Sequence, residues 1–241
     1  MENQNLTKAE RKELRRQEKQ TQKNQSAQSN TFKRILTWGL VILGIVLAVW
    51  GMLKLASTPV DNTPLAGEVT ADDWIKGNPA ADVVLVEYSD FQCPACGVYY
   101  PIVKQLVAKY SNDITFVYRH FPLSQHQNAR PAAYAAEAAG QQGKFWEMHD
   151  TIFENQNTWS EDNNAVGILR GYAQNLGLDL NKYDAAVSSQ EVRNKVENHY
   201  TSGIQSNVTY TPTFYLNGQK IANPQNLEEF RTLIQAALDG N

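Results

Sequence analysis

Val83-Val84-Leu85-Val86-Glu87-Tyr88-Ser89-Asp90-Phe91-Gln92-Cys93-Pro94-Ala95-Cys96 contains the only two cysteines of the 241-residue chain. The β-branched run at 83–86 reads as a short buried strand. Pro94 suits the first position of a helix, because its missing N–H would have had no partner there. A secreted domain stapled by disulfides would scatter several cysteines. A zinc site would need four ligands, as two such pairs or one pair with two spaced histidines. One isolated Cys-x-x-Cys between a strand and a helix leaves thiol–disulfide exchange as the leading chemistry, with a buried structural thiol pair as the alternative.

The helix starting at Pro94 sets the expected behaviour of each sulfur. Cys93 lies beside free N–H groups and the positive end of the helix dipole, which stabilise an anion and lower its thiolate pKa. Cys96 lies one turn inward, shielded and placed to attack a mixed disulfide formed on Cys93. Haem attachment would need histidine after Cys96, and Gly97 stands there.

Working outward, Val98, Ile102, Leu106 and Tyr110 give residues 94–110 one apolar helical face. Ile114 to Tyr118 reads as a second strand, which completes a βαβ unit with a parallel pair. Residues 125–206 carry helical signals and no convincing strand. Phe145, Met148, His149, Ile152 and Phe153 share one stripe, and Val192, Val196, Tyr200 and Ile204 share another. Strands return at 213–216 and 219–221, joined by Asn217-Gly218, the strongest two-residue hairpin signal. Leu227, Phe230, Ile234 and Leu238 mark a terminal amphipathic helix. Lys76-Gly77-Asn78-Pro79 reads as a turn. Thr211-Pro212 places a proline at the start of a strand, which leaves the preceding backbone groups free to pair with an extended peptide.

The first 56 residues differ in kind. Residues 1–34 hold nine Lys/Arg against four Glu and almost nothing apolar, so they are expected to be disordered or a fraying charged helix. Ile35 to Ala56 is a nearly uninterrupted apolar run, roughly 33 Å of helix, and a hydrocarbon core is about 30 Å thick. Trp38 and Trp50 fall near its ends, where aromatic rings favour the interface. The run is longer than a signal-peptide core, which points to a permanent anchor. The excess of basic residues before it places the amino terminus in the cytoplasm. Residues 57–71, with Pro59, Asn62, Pro64 and Gly67, read as a tether. Beyond residue 56, 12 basic and 21 acidic residues leave a charge of −9, which argues against nucleic acid as a partner.

Four passages resemble the DsbA-like branch of the thioredoxin superfamily, in its membrane-tethered form. They are residues 87–96, Tyr118-Arg119-His120-Phe121-Pro122-Leu123, Lys144-Phe145-Trp146-Glu147-Met148-His149 and Thr211-Pro212-Thr213-Phe214-Tyr215-Leu216-Asn217-Gly218. The fold implied is α/β: a thioredoxin-like domain over 72–241 with a helical subdomain inserted at about 124–206, preceded by the single transmembrane helix at 35–56. By resemblance, Cys93 is the exposed nucleophile and Cys96 the resolving thiol. Pro212 is the cis-proline facing the pair, and Thr211 binds substrate peptide through its backbone. Pro94 and Ala95 belong to the same substrate-facing surface. Glu87 matches a buried acid that accepts and returns the proton of the inner thiol. The best-known member has histidine third in the motif where this chain has Ala95, so a less oxidising disulfide is expected.

The resemblance implies an extracytoplasmic protein thiol–disulfide oxidoreductase, held at the cell membrane, that introduces disulfides into exported cysteine-containing proteins. A reductase or isomerase, or a non-catalytic peptide-binding chaperone, stands as the alternative. No cofactor is implied beyond the Cys93–Cys96 disulfide. The implied partners are exported substrates, a membrane quinone-linked thiol oxidase that restores the disulfide, and the bilayer around residues 35–56. His120 and His149 read as packed histidines, while His126 and His199 have no nameable partner. No ligand cluster compact enough for a metal is visible.

Overall fold

The strand that leads to the cysteines is the centre of the molecule. In a computed structural model of the chain, β2 (Val83–Ser89) lies between β3 (Ile114–His120), parallel to it, and β4 (Thr213–Leu216), antiparallel to it. The sheet has five strands in the order β1-β3-β2-β4-β5, with β1 (Trp74–Gly77) and β5 (Gln219–Ile221) antiparallel at its edges. A central strand is covered on both faces, which is why β2 reads as a continuous apolar run without alternation. The structure describes Glu13, Arg15, Lys19, Gln20, Trp38, Gly39 and residues 41–50, 63–70 and 72–240.

Helix α1 (Pro94–Lys109) makes the crossover from β2 to β3. The expected helical insertion follows β3 as α2 (Ala129–Gly140), α3 (Phe145–Glu154), α4 (Gln156–Trp159), α5 (Ala165–Asn175), α6 (Leu180–Ser188) and α7 (Gln190–Gln205). The chain then returns through β4 and β5 and closes with α8 (Leu227–Asp239). In the hairpin, Asn217 (φ 49°) and Gly218 (φ 76°) both take the left-handed conformation that a type I′ turn requires.

Alternation along the strands divides the core in two. Val83, Leu85, Ile114, Phe116, Tyr118 and Phe214 face one apolar cluster with both cysteines, α1, α8 and most of the insertion. Val86, Tyr88, Val117 and Tyr215 face a second cluster with Phe121 and Val208. Leu65 and Val69 pack on the second cluster, so part of the expected tether lies on the domain. Leu65 N–H donates to the Gly218 carbonyl at 2.8 Å, and Ala66 N–H donates to Ser206 Oγ at 2.9 Å. Strand β1 is not expected from sequence, where its end reads as the turn 76–79. It forms because its four residues pair with Thr115–Tyr118 of β3, and Trp74 stacks on Phe145 of α3 at 4.2 Å.

The chain divides into two units, Met1–Pro59 and Val60–Asn241, of which the second holds the sheet. The described residues of the first, at 13, 15, 19, 20, 38, 39 and 41–50, are helical and exposed, Trp38 and Trp50 among them. Among the described residues no helix is long and apolar enough to cross a membrane. The rest of the expected span at 35–56, most of the basic arm at 1–34 and the tether residues 57–62 lie outside the described residues.

Candidate active site

Cys93 is the N-cap of α1, with extended backbone (φ −65°, ψ 122°), and Pro94 opens the helix as expected. The cap position puts the Cys93 sulfur at the positive end of α1, although its side chain makes no cap hydrogen bond. The Cys93 pKa falls from 9.0 to about 5. A hydrogen bond from the Cys96 thiol is the largest cause; burial opposes it, and Thr211 and the N–H groups of Cys96 and Ala95 assist. Cys96 is fully buried, and its pKa moves well above 9.0 through burial first, then its bond to Cys93 and the charges of Cys93 and Glu87. The Asp90 N–H also points at the Cys96 sulfur, at 3.5 Å. One thiolate and one retained thiol is the arrangement an attacking and resolving pair needs.

The loop before β4 supplies the opposite wall. The Thr211–Pro212 bond is cis. In its thiol form Cys93 donates to the Thr211 carbonyl at 3.5 Å, whereas it is the Thr211 side chain that favours the thiolate. Thr211, Pro212, Cys93 and Cys96 therefore come together from segments 115 residues or more apart in sequence. Cys93 is less open than the resemblance implies, at 7% exposure, because the Thr211 carbonyl stands over its sulfur. Pro94 and Ala95 are exposed at the rim of this site.

Glu87 lies beneath the pair on β2, 4% exposed. Burial raises its pKa from 4.5 to about 7, with Ser89 opposing. Its charge acts on Cys96, so the two groups sense each other's proton. Glu87 also lines a cavity of about 30 Å³ together with Tyr100, Lys104, His149 and Asp150, which is room for a water.

Other residues enter the site that the sequence did not nominate. Asp90 accepts from the N–H of Gln92 at 2.7 Å, from the N–H of Leu123 at 2.9 Å, and pairs with His126 Nδ1 at 2.7 Å. Gln156 donates to the carbonyls of Phe91 and Cys93. Asp90, three residues before Cys93, could have been suspected as a turn former, whereas Gln92 carried no such signal. Gln156 carried no signal, since only tertiary structure brings α4 to this loop.

His120, Glu137 and His199 bring their donor atoms within 4.8 Å of one another, the compact group that no sequence spacing revealed. Their atoms already serve one another. Glu137 Oε1 accepts from Trp74 Nε1 at 2.7 Å and meets His120 Nε2 at 2.8 Å, while Oε2 faces Lys195 at 3.1 Å. His199 Nδ1 accepts from the His120 N–H at 3.3 Å. This geometry suits a polar knot that fastens α2 and α7 to β3.

Comparison with known proteins agrees with the fold. The structure is similar to oxidised BdbD from Bacillus subtilis, with a TM-score of 0.65 and 24% identity over 74% of this chain and 100% of that one. It is also similar to a thioredoxin-like oxidoreductase from Silicibacter pomeroyi, with a TM-score of 0.61 and 26% identity over 70% of this chain and 94% of that one. Among curated proteins, a Na(+)/H(+) antiporter NhaA 3 from Salinispora tropica is 36% identical over 166 residues, which is 68% of this chain and 24% of the antiporter. The chain spans about a quarter of the length of the first such relatives. A family model described as Thioredoxin matches residues 70–236, and with a central β2, a Cys-x-x-Cys at the start of α1 and a cis-Pro212 opposite it, the chain belongs to the thioredoxin family.

Proposed function

We propose that the protein is a membrane-tethered, extracytoplasmic thiol–disulfide oxidoreductase of DsbA-like type that introduces disulfides into exported proteins. The observation that carries this reading is the placement of the pair: Cys93 caps α1 against the cis Thr211–Pro212 loop and Cys96 is buried one turn in, which draws the Cys93 pKa down and pushes that of Cys96 up. A stabilised Cys93 thiolate is a good leaving group and favours the reduced enzyme, so the disulfide form is an oxidant.

In the forward step, a substrate thiolate attacks Cys93 of the oxidised pair. The new bond joins substrate sulfur to Cys93, and Cys96 leaves with the bonding electrons. Cys96 takes up a proton, for which Glu87, neutral below about 7, is the adjacent donor. A second substrate thiolate attacks the substrate sulfur of the mixed disulfide and releases Cys93 as thiolate. The substrate has lost two electrons and the enzyme has gained them. Both substrate protons leave as the thiolates form: one returns to Glu87, replacing the proton it passed to Cys96, and one stays in solvent. The backbone around Thr211 and the exposed Pro94 and Ala95 offer an extended peptide its contacts. A membrane quinone-linked thiol oxidase removes the two electrons and restores the disulfide.

The apolar run at 35–56 and the basic arm before it support an anchor with the amino terminus in the cytoplasm. Relatives whose names are Na(+)/H(+) antiporters carry a similar segment within longer chains, which supports work beside a membrane. Ala95 adds no side-chain donor to the thiolate, so the pair is less oxidising than a form with histidine there. Two measurements test the reading. Cys96→Ala should accumulate mixed disulfides between Cys93 and exported proteins. The reduction potential of the pair should lie well above about −270 mV, since a value at or below it fits a reductase.

A further inference from the structure

The loop that carries the two cysteines is held by the insertion through side-chain amides. Gln156, the first residue of α4, donates from Nε2 to the Phe91 carbonyl at 2.7 Å and to the Cys93 carbonyl at 2.9 Å. Its Oε1 would lie 2.4 Å from a Cβ added to Gly97, so glycine at 97 is what lets the amide approach. On the other side, Gln92 Nε2 donates to the Ser160 carbonyl at 2.7 Å, and its Oε1 accepts from the Asn128 N–H at 2.7 Å. Gln92 is buried, and Gln156 half-buried.

The clamp acts at the cap of α1. The Cys93 carbonyl accepts the first helical bond, from Gly97 N–H at 3.2 Å, and Gln156 gives the same oxygen a second donor. That carbonyl and the N–H groups of Ala95 and Cys96 sit on neighbouring peptide planes with few soft dihedrals between them. Fixing the carbonyl therefore restrains the direction of those N–H groups. Gln156 is neutral, so its influence on the sulfur is geometric rather than that of a charge.

We propose that Gln156 is a positioning residue for the redox pair: by holding the Phe91 and Cys93 carbonyls it fixes the backbone at the start of α1, and with it the place of the Cys93 sulfur against Cys96 and the Thr211 loop, and so sets how readily the disulfide is reduced. The inference rests on the reading that Cys93 and Cys96 cycle between thiol and disulfide. Gly97 is its structural partner, since a methyl at 97 would push the Gln156 amide away.

The test uses the full chain as wild type, Gln156→Leu, Gly97→Ala and the double variant. The thiolate absorbance of Cys93 is followed against pH, the redox equilibrium with glutathione is measured, and Tm is recorded alongside. Gln156→Leu is expected to move the Cys93 titration up by about 0.5–1 pH unit and to weaken oxidation of glutathione by about 3–10-fold. Gly97→Ala should shift both in the same direction, and the double variant should shift less than the two added together. A lower Tm with titration and redox equilibrium within about twofold of wild type assigns Gln156 a purely structural role and overturns the proposal. Should Gln156→Leu fail to fold, Gly97→Ala decides: a shift supports the proposal, and a wild-type titration defeats it. A wild type whose Cys93 ionises like free cysteine and performs no exchange defeats the functional reading itself.

Discussion

Two groups of buried ionisable side chains share one side of the sheet, and they are built on opposite rules. Around Glu137 every charge meets its complement: His120, Lys195 and the Trp74 indole converge on the carboxylate. Burial alone would raise Glu137, but those bonds and charges hold it down to about 2. Nearby, Arg119 grips Asp73 through two bonds of 2.8 and 2.9 Å, and the Asp73 pKa is lowered as well. Around Cys96 nothing cationic appears among the causes that move it, and both Cys96 and Glu87 are pushed toward their neutral forms. A compensated cluster fastens elements together. An uncompensated one keeps its protons, that of Glu87 up to near neutral pH, which suits a place where protons must move.

The largest expected effect separates these roles outright. Cys93→Ala removes the proposed nucleophile, and disulfide transfer to a reduced test protein should vanish while the unfolding free energy stays within about 1 kcal/mol of reduced wild type. Residual transfer by that variant would place the chemistry elsewhere. In the other cluster, Glu137→Ala leaves His120, Lys195 and the Trp74 indole without their shared acceptor. Breaking a buried pair in this way costs about 3–5 kcal/mol, read as a shift in urea unfolding. The Cys93 titration should not move, since the Glu137 carboxylate is bonded to Trp74, His120 and Lys195 and not to the cysteine pair.

The contrast was only half legible beforehand. Much of what is written in local pattern could be read: the β2 run, the Cys-x-x-Cys at the head of α1, Asn217-Gly218 and the stripe from Phe145 to Phe153. The apolar faces read for α1 and α7 match only in part, since Val98 and Ile204 are exposed while Val103, Val107 and His199 are buried. The likeness to a known family supplied Thr211 and Pro212, whose place opposite Cys93 depends on a strand more than a hundred residues away. What escaped depends on pairs between distant segments with no periodic signature. Strand β1 is four residues long and is defined by its partner β3 rather than by its composition. His126 and His199 had no visible partners because Asp90 and Asp73 are far from them in sequence. The compensated cluster is a product of tertiary structure, as is Gln156, whereas the redox pair sits in one contiguous stretch.

Glu87 sharpens the comparison by its sign. Its folded pKa, about 7, exceeds its ordinary 4.5. Between those pH values the folded protein retains a proton that the unfolded chain releases, so stability falls as pH rises through that window. The loss amounts to about 3 kcal/mol by pH 7 and above. Glu87→Gln should therefore be more stable than wild type at pH 8, by up to that amount, and should lose the slope between pH 4.5 and 7 in chemical denaturation. Exchange should slow by roughly tenfold or more, because in the proposed mechanism the leaving Cys96 thiolate has lost its proton donor. A variant less stable than wild type at pH 8 would show that Glu87 has a charged partner and belongs with the compensated type.

The smallest effect tests whether compensation is shared or vested in one bond. Lys195 Nζ lies 3.1 Å from Glu137 Oε2, but its side chain is 27% exposed while Glu137 is 3%. Solvent screens the lysine, and Trp74 and His120 still hold the carboxylate when it is gone. Lys195→Met should therefore cost about 1 kcal/mol or less at pH 7. The acid profile is the finer probe. Because the Glu137 pKa is depressed, the stability it gives is present above 4.5 and is lost as pH falls toward about 2. Removing the lysine charge lets that pKa rise, so the acid loss should finish at a higher pH than in wild type. An unchanged acid profile would mean that Trp74 and His120 carry the compensation alone. In that case the knot is a set of hydrogen bonds closed to solvent, and the lysine is only its outer cover.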